Sequence, residues 1–361
     1  MGIFIQRQIT LLENDFHFHV VYVQAINDLT TDFDLVSTKV SPTFNEHIVY
    51  FKNNTGVLKK LINFYRYKKA QKIGVAAIKA PIDLCHIHVP YRSAMPALRL
   101  YKKNKTPFFI TEHWSGHLNG QYQQKNAIDK FLYRRIINKA TKISTVSKAL
   151  QKAFLKNTKV ESQIIPNYIE RIEVAKTTNT NQTINLLTVG DFDDKTKNIT
   201  GILHAFKAAL ATTPNLKLTL IGGGPDEEKI KRTATALEIP HPQIEFLGRQ
   251  NHAFVLNAMT KCDFYICNSR YETFGMTVAE ALFCGKPVIA TRCGGPEEFL
   301  HSNNGILISA NNTVEATELT EAIKKMSSTF NTYDANKIST EINNLFGKDT
   351  IHKKWLDFYK T

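Results

Sequence analysis

Residues 184–300 alternate short apolar runs with amphipathic ones so regularly that few architectures accommodate them. "INLLTVG" (184–190), "LKLTLIGGGP" (216–225), "IEFLG" (244–248), "DFYICNS" (263–269) and "PVIAT" (287–291) have strand length and near-continuous hydrophobicity. "GILHAFKAALAT" (201–212), "DEEKIKRTATALE" (226–238), "HAFVLNAMTKC" (252–262) and "TVAEALFCG" (277–285) have helical spacing, and "GGPEEFL" (294–300) opens a further helix. Strands apolar on both faces and separated by helices belong to a parallel sheet covered on both sides.

The first half alternates less cleanly. Strands are expected at 16–24, 84–89, 107–113, 142–147 and 162–167, with helices at 127–140 and 148–155. The polar stretch "RIEVAKTTNTNQT" (171–183) reads as a connector. Two Rossmann-like, doubly wound α/β domains facing a cleft follow, one over 1–170 and one over 184–345. A last helix (346–361) with an aromatic face is expected to cross back to the first domain. The 361 residues suffice for two cores.

Charge separates the halves. Residues 1–180 carry 27 Lys/Arg against 12 Asp/Glu, whereas residues 181–361 carry 19 against 20. A basic half suits an anionic membrane surface, an acidic substrate or nucleic acid. Basic-aromatic nucleic-acid motifs are missing, so no nucleic acid is expected. The five cysteines form no CxxC pair and read as reduced core residues. No apolar run reaches bilayer-spanning length, "MGIFIQRQITLL" lacks the plan of a signal peptide, and Gln6 stands where a myristoylation signal has Ser or Thr. A cytoplasmic protein, peripheral at the inner membrane face, is expected.

The chemistry-bearing residues lie where strands give way to helices. "GGGPDEE" (222–228) offers N–H groups and a helix dipole to a phosphate, and equally reads as a tight turn. In "NSRYETFGMTVAE", Gly275 and Met276 sit at a helix mouth. Thr277 and Glu280 fit a capping box, yet the Glu280 carboxylate also suits two vicinal hydroxyls. Glu272 fits no capping register. Lys195 and Lys197 lie in a strand-to-helix loop, where a lysine either faces solvent or neutralises a leaving diphosphate. His113 ends a strand, a place more often structural than catalytic. His86 and His88 lie on a neighbouring strand without a completing zinc ligand.

Together these residues resemble the retaining glycosyltransferases of family 4, which have the GT-B fold. The resemblance runs over nearly the whole chain and is densest from Leu186 to Leu300. It rests on Glu272, Phe274, Gly275 and Glu280, on "ALFCGKPVIAT" and "GGPEE", and on Lys197-Asn198 with "HAF". "GGGP", Glu112-His113, "TVS" and "IIPN" complete it. The resemblance implies a UDP-, GDP- or ADP-sugar donor, no metal or other cofactor, and a glycan or lipid-linked acceptor in cell-surface polysaccharide or glycolipid synthesis. It implies catalytic roles for His113, Glu272 and Lys197. It implies donor contacts from Gly190, Lys195, Gly223, Arg249, Phe274, Gly275, Met276, Thr277 and Glu280, and an acceptor or phosphate loop at Gly2.

The chain departs from the family at two places. Asp191 stands where the family has arginine, and Lys195 or Arg270 is expected to offset it; a donor-binding relative that does not turn over is the alternative reading. The family's "G-x-F-x-x-x-Q" loop follows a first strand, but here "GIFIQRQ" begins at Gly2. That leads to the expectation of a native start some ~15–25 residues earlier. On the basic half, "VLKKLINFYRYKKAQK" (57–72) combines a Leu58, Leu61, Ile62 and Tyr65 stripe with six basic residues. The stripe either packs on the sheet, leaving a solvated basic face, or docks on an anionic leaflet. An epimerase or phosphorylase on a similar fold is the remaining rival, and the Glu272 to Glu280 segment points to transfer.

Overall fold

The structure, a computed structural model, describes residues 2–170, 183–310 and 317–360. The expected connector at 171–183 falls almost wholly outside them. The first unit runs α1 (Ile3–Leu12), β1 (Phe18–Ile26), β2 (Phe33–Ser41), β3 (Phe44–Lys52), α2 (Lys59–Ala77), β4 (Cys85–His88) and α3 (Met95–Asn104). It continues with β5 (Phe108–Glu112), α4 (Gln121–Gln124), α5 (Ala127–Ile137), β6 (Lys142–Thr145), α6 (Lys148–Thr158) and β7 (Gln163–Ile164). The second runs β8 (Ile184–Asp191), α7 (Asp194–Lys197), α8 (Ile199–Leu210), β9 (Leu216–Gly223), α9 (Glu227–Ala236), β10 (Ile244–Phe246) and α10 (His252–Lys261). Then come β11 (Phe264–Cys267), α11 (Met276–Phe283), β12 (Val288–Thr291), β13 (Gly305–Ile308), α12 (Thr317–Thr329), α13 (Ala335–Phe346) and α14 (Lys348–Tyr359).

The second unit is the doubly wound sheet its alternation demands. Among the described residues its six strands are ordered β10-β9-β8-β11-β12-β13, all parallel. β11 and β12 are buried on both faces, which is why they read as unbroken apolar runs. "GGPEEFL" makes only a short 3₁₀ turn, Gly295–Glu298, because Phe299 leaves helical geometry to pack inward.

The first unit holds two sheets rather than one. β4-β5-β6-β7 is parallel, while β1-β3-β2 pairs β1 with β3 in parallel and β2 with β3 antiparallel. β1 and β4 are each an outer strand. The β2–β3 hairpin escaped the sequence reading. β2 is an edge strand exposed along nearly its whole length, so it shows no buried pattern. α2 packs on this sheet through Tyr67, Ala70 and Gly74, the last opposite Val21 and Val49. Of the Leu58, Leu61, Ile62 and Tyr65 stripe, Ile62 is half-buried and the other three face away, with Leu61 and Tyr65 each about two-thirds exposed. The reading of that stripe as the packed face is wrong, because small residues at 70 and 74 allow the closer approach.

The units are tied together at one side. Val146, Leu150 and Ile169 join the second unit's core beside Phe274, Phe299 and Phe346, and the Ile169 N–H donates to the Phe346 carbonyl at 3.0 Å. α14 returns to the first unit, where Ile351, Trp355 and Phe358 close a core with Leu11, Leu12 and Phe109.

Candidate active site

The strand ends of β8 and β11 and the start of α11 line a small recess open to solvent. Gly190, Lys197, Asn268, Ser269, Glu272 and Thr277 are among the residues lining it. Lys197 ends α7, and its Nζ donates to Glu272 Oε1 at 2.5 Å. Ser269 Oγ donates to the same oxygen at 2.8 Å. Burial pulls the Lys197 ammonium down, but the adjoining carboxylate more than offsets this and holds it above the usual lysine range. Glu272 is fixed by its backbone as well. Its N–H donates to the Cys293 carbonyl at 2.8 Å, and its carbonyl accepts from the Gly295 N–H at 2.9 Å. The "GG" of "GGPEE" is thus a clamp on the carboxylate's own residue.

α11 begins at Gly275, a position only glycine can fill: its φ is +89°, and a Cβ there would lie 2.7 Å from the Pro296 ring. Its first N–H groups, from Met276 and Thr277, have no carbonyl within the helix to bond. Thr277 is therefore inside the helix rather than at its cap, and the capping-box reading fails. The Phe274 ring is buried against Phe299 and Phe346, so only its backbone remains for a ligand. On the neighbouring strand, Gly222 has φ +153°, and a Cβ there would collide with the Gly190 carbonyl.

Glu280 has another kind of partner. Arg7 on α1 crosses from the first unit and donates from Nη2 to Glu280 Oε1 at 2.7 Å; both side chains are about 95% buried. His252 Nε2 lies 2.9 Å from that oxygen and 2.6 Å from Arg7 Nη2. Arg7 Nε and Nη1 are buried without a partner, at a cost of roughly 1–3 kcal/mol each. Arg7 was missed in the sequence, although Phe4, Arg7, Gln8 and Leu11 share one helical face that a 3.6-residue period exposes.

Arg249 pairs with Asp191 at 3.0 Å and donates to the Gly223 carbonyl at 2.6 Å. Neither Lys195 nor Arg270 meets Asp191. Lys195 is exposed, and Arg270 is bonded to the Asp194 carbonyl and the Asn198 side chain. The cation that meets Asp191 comes instead from the loop after β10.

In the first unit, Glu112 is fully buried and accepts from the backbone N–H groups of His113 and Trp114 at 2.9 and 2.8 Å, and from the Tyr133 hydroxyl. This sets the loop that carries His113. His113 Nε2 meets His88 Nδ1 at 3.1 Å, and the Phe4 ring lies 4.3 Å from the His113 ring. His86 bonds to Tyr359 (2.5 Å) and Thr111 (2.7 Å). Burial lowers all three imidazoles, His88 to about 4, and the neighbouring rings lower His86 and His113 further. His113 is thus neutral, and one of the two facing nitrogens in its pair with His88 carries the proton. Among the described residues no group of three or more His, Cys, Asp or Glu is placed to hold a metal. Gly2 caps α1, and Arg7 lies one turn beyond Phe4, so α1 links the His113 side of the cleft to Glu280.

Residues 170–337 match the family described as glycosyl transferases group 1, and residues 19–171 match glycosyltransferase family 4. An uncharacterised glycosyltransferase of Methanocaldococcus jannaschii is 31% identical over 271 residues, covering 74% of this chain and 73% of that protein. The chain belongs to glycosyltransferase family 4. This family 4 chain also shares its fold with the sucrose-phosphate synthase of Thermosynechococcus elongatus (TM-score 0.76, 19% identity, 97% and 91% of the two chains). A second neighbour is Anabaena HepE, solved with UDP and glucose (TM-score 0.67, 18% identity, 87% and 86%). The architecture is GT-B and the protein is a hexosyltransferase-type enzyme.

Proposed function

We propose that this glycosyltransferase moves a sugar, with retention of configuration, from a nucleotide-diphospho-sugar to a glycan or lipid-linked acceptor. The observation that carries the reading is the Lys197–Glu272 pair beside the α11 N-terminus in one recess. The α11 N–H groups and the Lys197 ammonium face the place where charge grows on the leaving diphosphate. Lys197 keeps two further N–H donors when one is engaged by Glu272. The bond from the anomeric carbon to the diphosphate oxygen breaks and the acceptor hydroxyl attacks the same face. Its proton passes to the departing phosphate oxygen. Glu272 holds donor-sugar hydroxyls, Glu280 holds the ribose hydroxyls, and neutral His113 bonds the sugar from across the cleft. Arg249 and Gly223 flank the donor, and Gly2 begins the acceptor side. The positive groups already facing the phosphates support metal independence.

Turnover measured with UDP-, GDP- and ADP-sugars, with and without EDTA, tests this reading. Expected are release of one nucleoside diphosphate, unchanged rates in EDTA, and a product anomer of the donor's configuration by NMR. An inverted product or no turnover with any donor refutes it.

The outward α2 stripe favours an anionic membrane as partner. Ile128, Phe131 and Leu132 on α5 are also exposed. The two apolar patches are joined by Phe64, Arg92 and Tyr91, whose hydroxyl bonds Asp129 at 2.5 Å. Lysines 59, 60, 68 and 69 share α2 with the first patch, and Arg134 and Arg135 share α5 with the second. Among the described residues no helix is long and apolar enough to cross a membrane. Flotation with phosphatidylglycerol vesicles should recover the protein, and Leu61→Glu with Phe131→Glu should abolish recovery. Equal recovery with neutral vesicles refutes anionic docking.

A further inference from the structure

The Glu280 carboxylate is already occupied. Arg7 is its partner from the opposite unit, and both are buried. The contact joins the two walls of the cleft at the point assigned above to the donor ribose. A ribose offering two vicinal hydroxyls needs both carboxylate oxygens, and Oε1 is taken by Arg7 and His252.

The arrangement is also internally frustrated. Arg7 can only donate. If His252 Nε2 carries a proton, that proton faces the Arg7 Nη2 donor only 2.6 Å away. If it does not, its lone pair faces Glu280 Oε1 at 2.9 Å. One of the three contacts is repulsive in either tautomer. Two further guanidinium nitrogens are buried with no acceptor. A charged side chain held this way is poorly compensated, and a ligand that takes over Glu280 releases it to water.

We propose that Arg7 is an interdomain latch that competes with the donor nucleotide for Glu280, so that donor binding and the α1–α11 closure seen here exclude each other. The inference rests on the reading of Glu280 as the ribose carboxylate. Its consequence is selectivity. A ligand that satisfies Glu280 displaces Arg7, whereas one lacking vicinal hydroxyls meets a closed site.

The test compares the wild type with Arg7→Met, Arg7→Lys and Glu280→Gln, each first checked for cooperative unfolding. Hydrogen exchange without ligand reads the latch. Calorimetric titration with UDP, GDP and ADP reads the competition. Both Arg7→Met and Glu280→Gln should raise exchange in α1. Their nucleotide affinities should move in opposite directions. Arg7→Met should tighten binding about tenfold, the order of one charge-assisted hydrogen bond, and Glu280→Gln should weaken it. Arg7→Lys, which keeps the charge without the fork, should fall between wild type and Arg7→Met and carries the test if Arg7→Met does not fold. Unchanged α1 exchange in Arg7→Met, or weaker or equal nucleotide binding, overturns the latch. If no nucleotide binds any of the proteins, the donor-site reading of Glu280 is what falls, and the competition with it.

Discussion

Replacing Lys197 by Met separates chemistry from scaffolding. Met retains the length and volume of the stem and deletes only the ammonium. The side chains of Lys197 and Glu272 are 28% and 15% exposed, so the pair is neither fully buried nor free in solvent. A fully buried pair broken on one side costs about 3–5 kcal/mol and an exposed one under about 1 kcal/mol. Glu272 keeps its Ser269 bond and both backbone anchors. A loss of about 1–2 kcal/mol is therefore expected, or a fall of roughly 2–8 °C in Tm for a unit this size. Turnover should fall much further, by about 10²–10³, as for removal of a preorganised group facing developing charge. Glu272→Gln leaves an amide oxygen for Lys197, so its Tm should shift by less than about 3 °C while kcat drops at least ~100-fold. Steady-state kinetics with the active donor and thermal unfolding of the same preparations provide the data. If folded Lys197→Met keeps kcat within about threefold of wild type, the cation does not face the leaving group and the assignment is refuted.

Three further outcomes are expected. His86, His88 and His113 are neutral when folded and titrate near 6.5 when unfolded, so the unfolded chain takes up more protons as pH falls below 6.5. Stability should be complete above about pH 6.5 and decline toward pH 4, His88 alone contributing roughly 3 kcal/mol, as read from denaturant midpoints across that range. Gly222→Ala should destabilise by more than about 3 kcal/mol, because both φ and the Gly190 carbonyl oppose a Cβ; an unchanged unfolding midpoint contradicts this. Asp191→Asn should alter stability by under about 0.5 kcal/mol, since both it and Arg249 are two-thirds exposed, and should tighten nucleotide diphosphate binding by removing a like charge.

The second unit was legible because parallel strands covered on both faces leave no polar positions to confuse the period. Glu272 stood out because no local rule explained it, and the structure ties it to Lys197, a contact the sequence did not show. What escaped had a physical reason in each case. β2 faces water along most of its length. α2 buries alanine and glycine positions and exposes its leucines, which inverts the ordinary reading of an amphipathic helix. Thr277 and Glu280 have capping-box spacing, but the αL glycine before them is the cap. Arg7 sits on an apolar face, and its partner is 273 residues away. Local pattern carries no record of a contact across two units. The cation at Asp191 comes from another loop for the same reason.

Ile169, from the end of the first unit, and Phe346, just before α14, lie side by side, the Ile169 N–H meeting the Phe346 carbonyl. With this contact at one side and α14 bedded in the first unit, the units cannot slide past each other without breaking that core. The motion left to them is a swing, small at that contact and growing with distance from it. A rotation of a few degrees there changes the separation of groups across the cleft while leaving each unit's sheet intact.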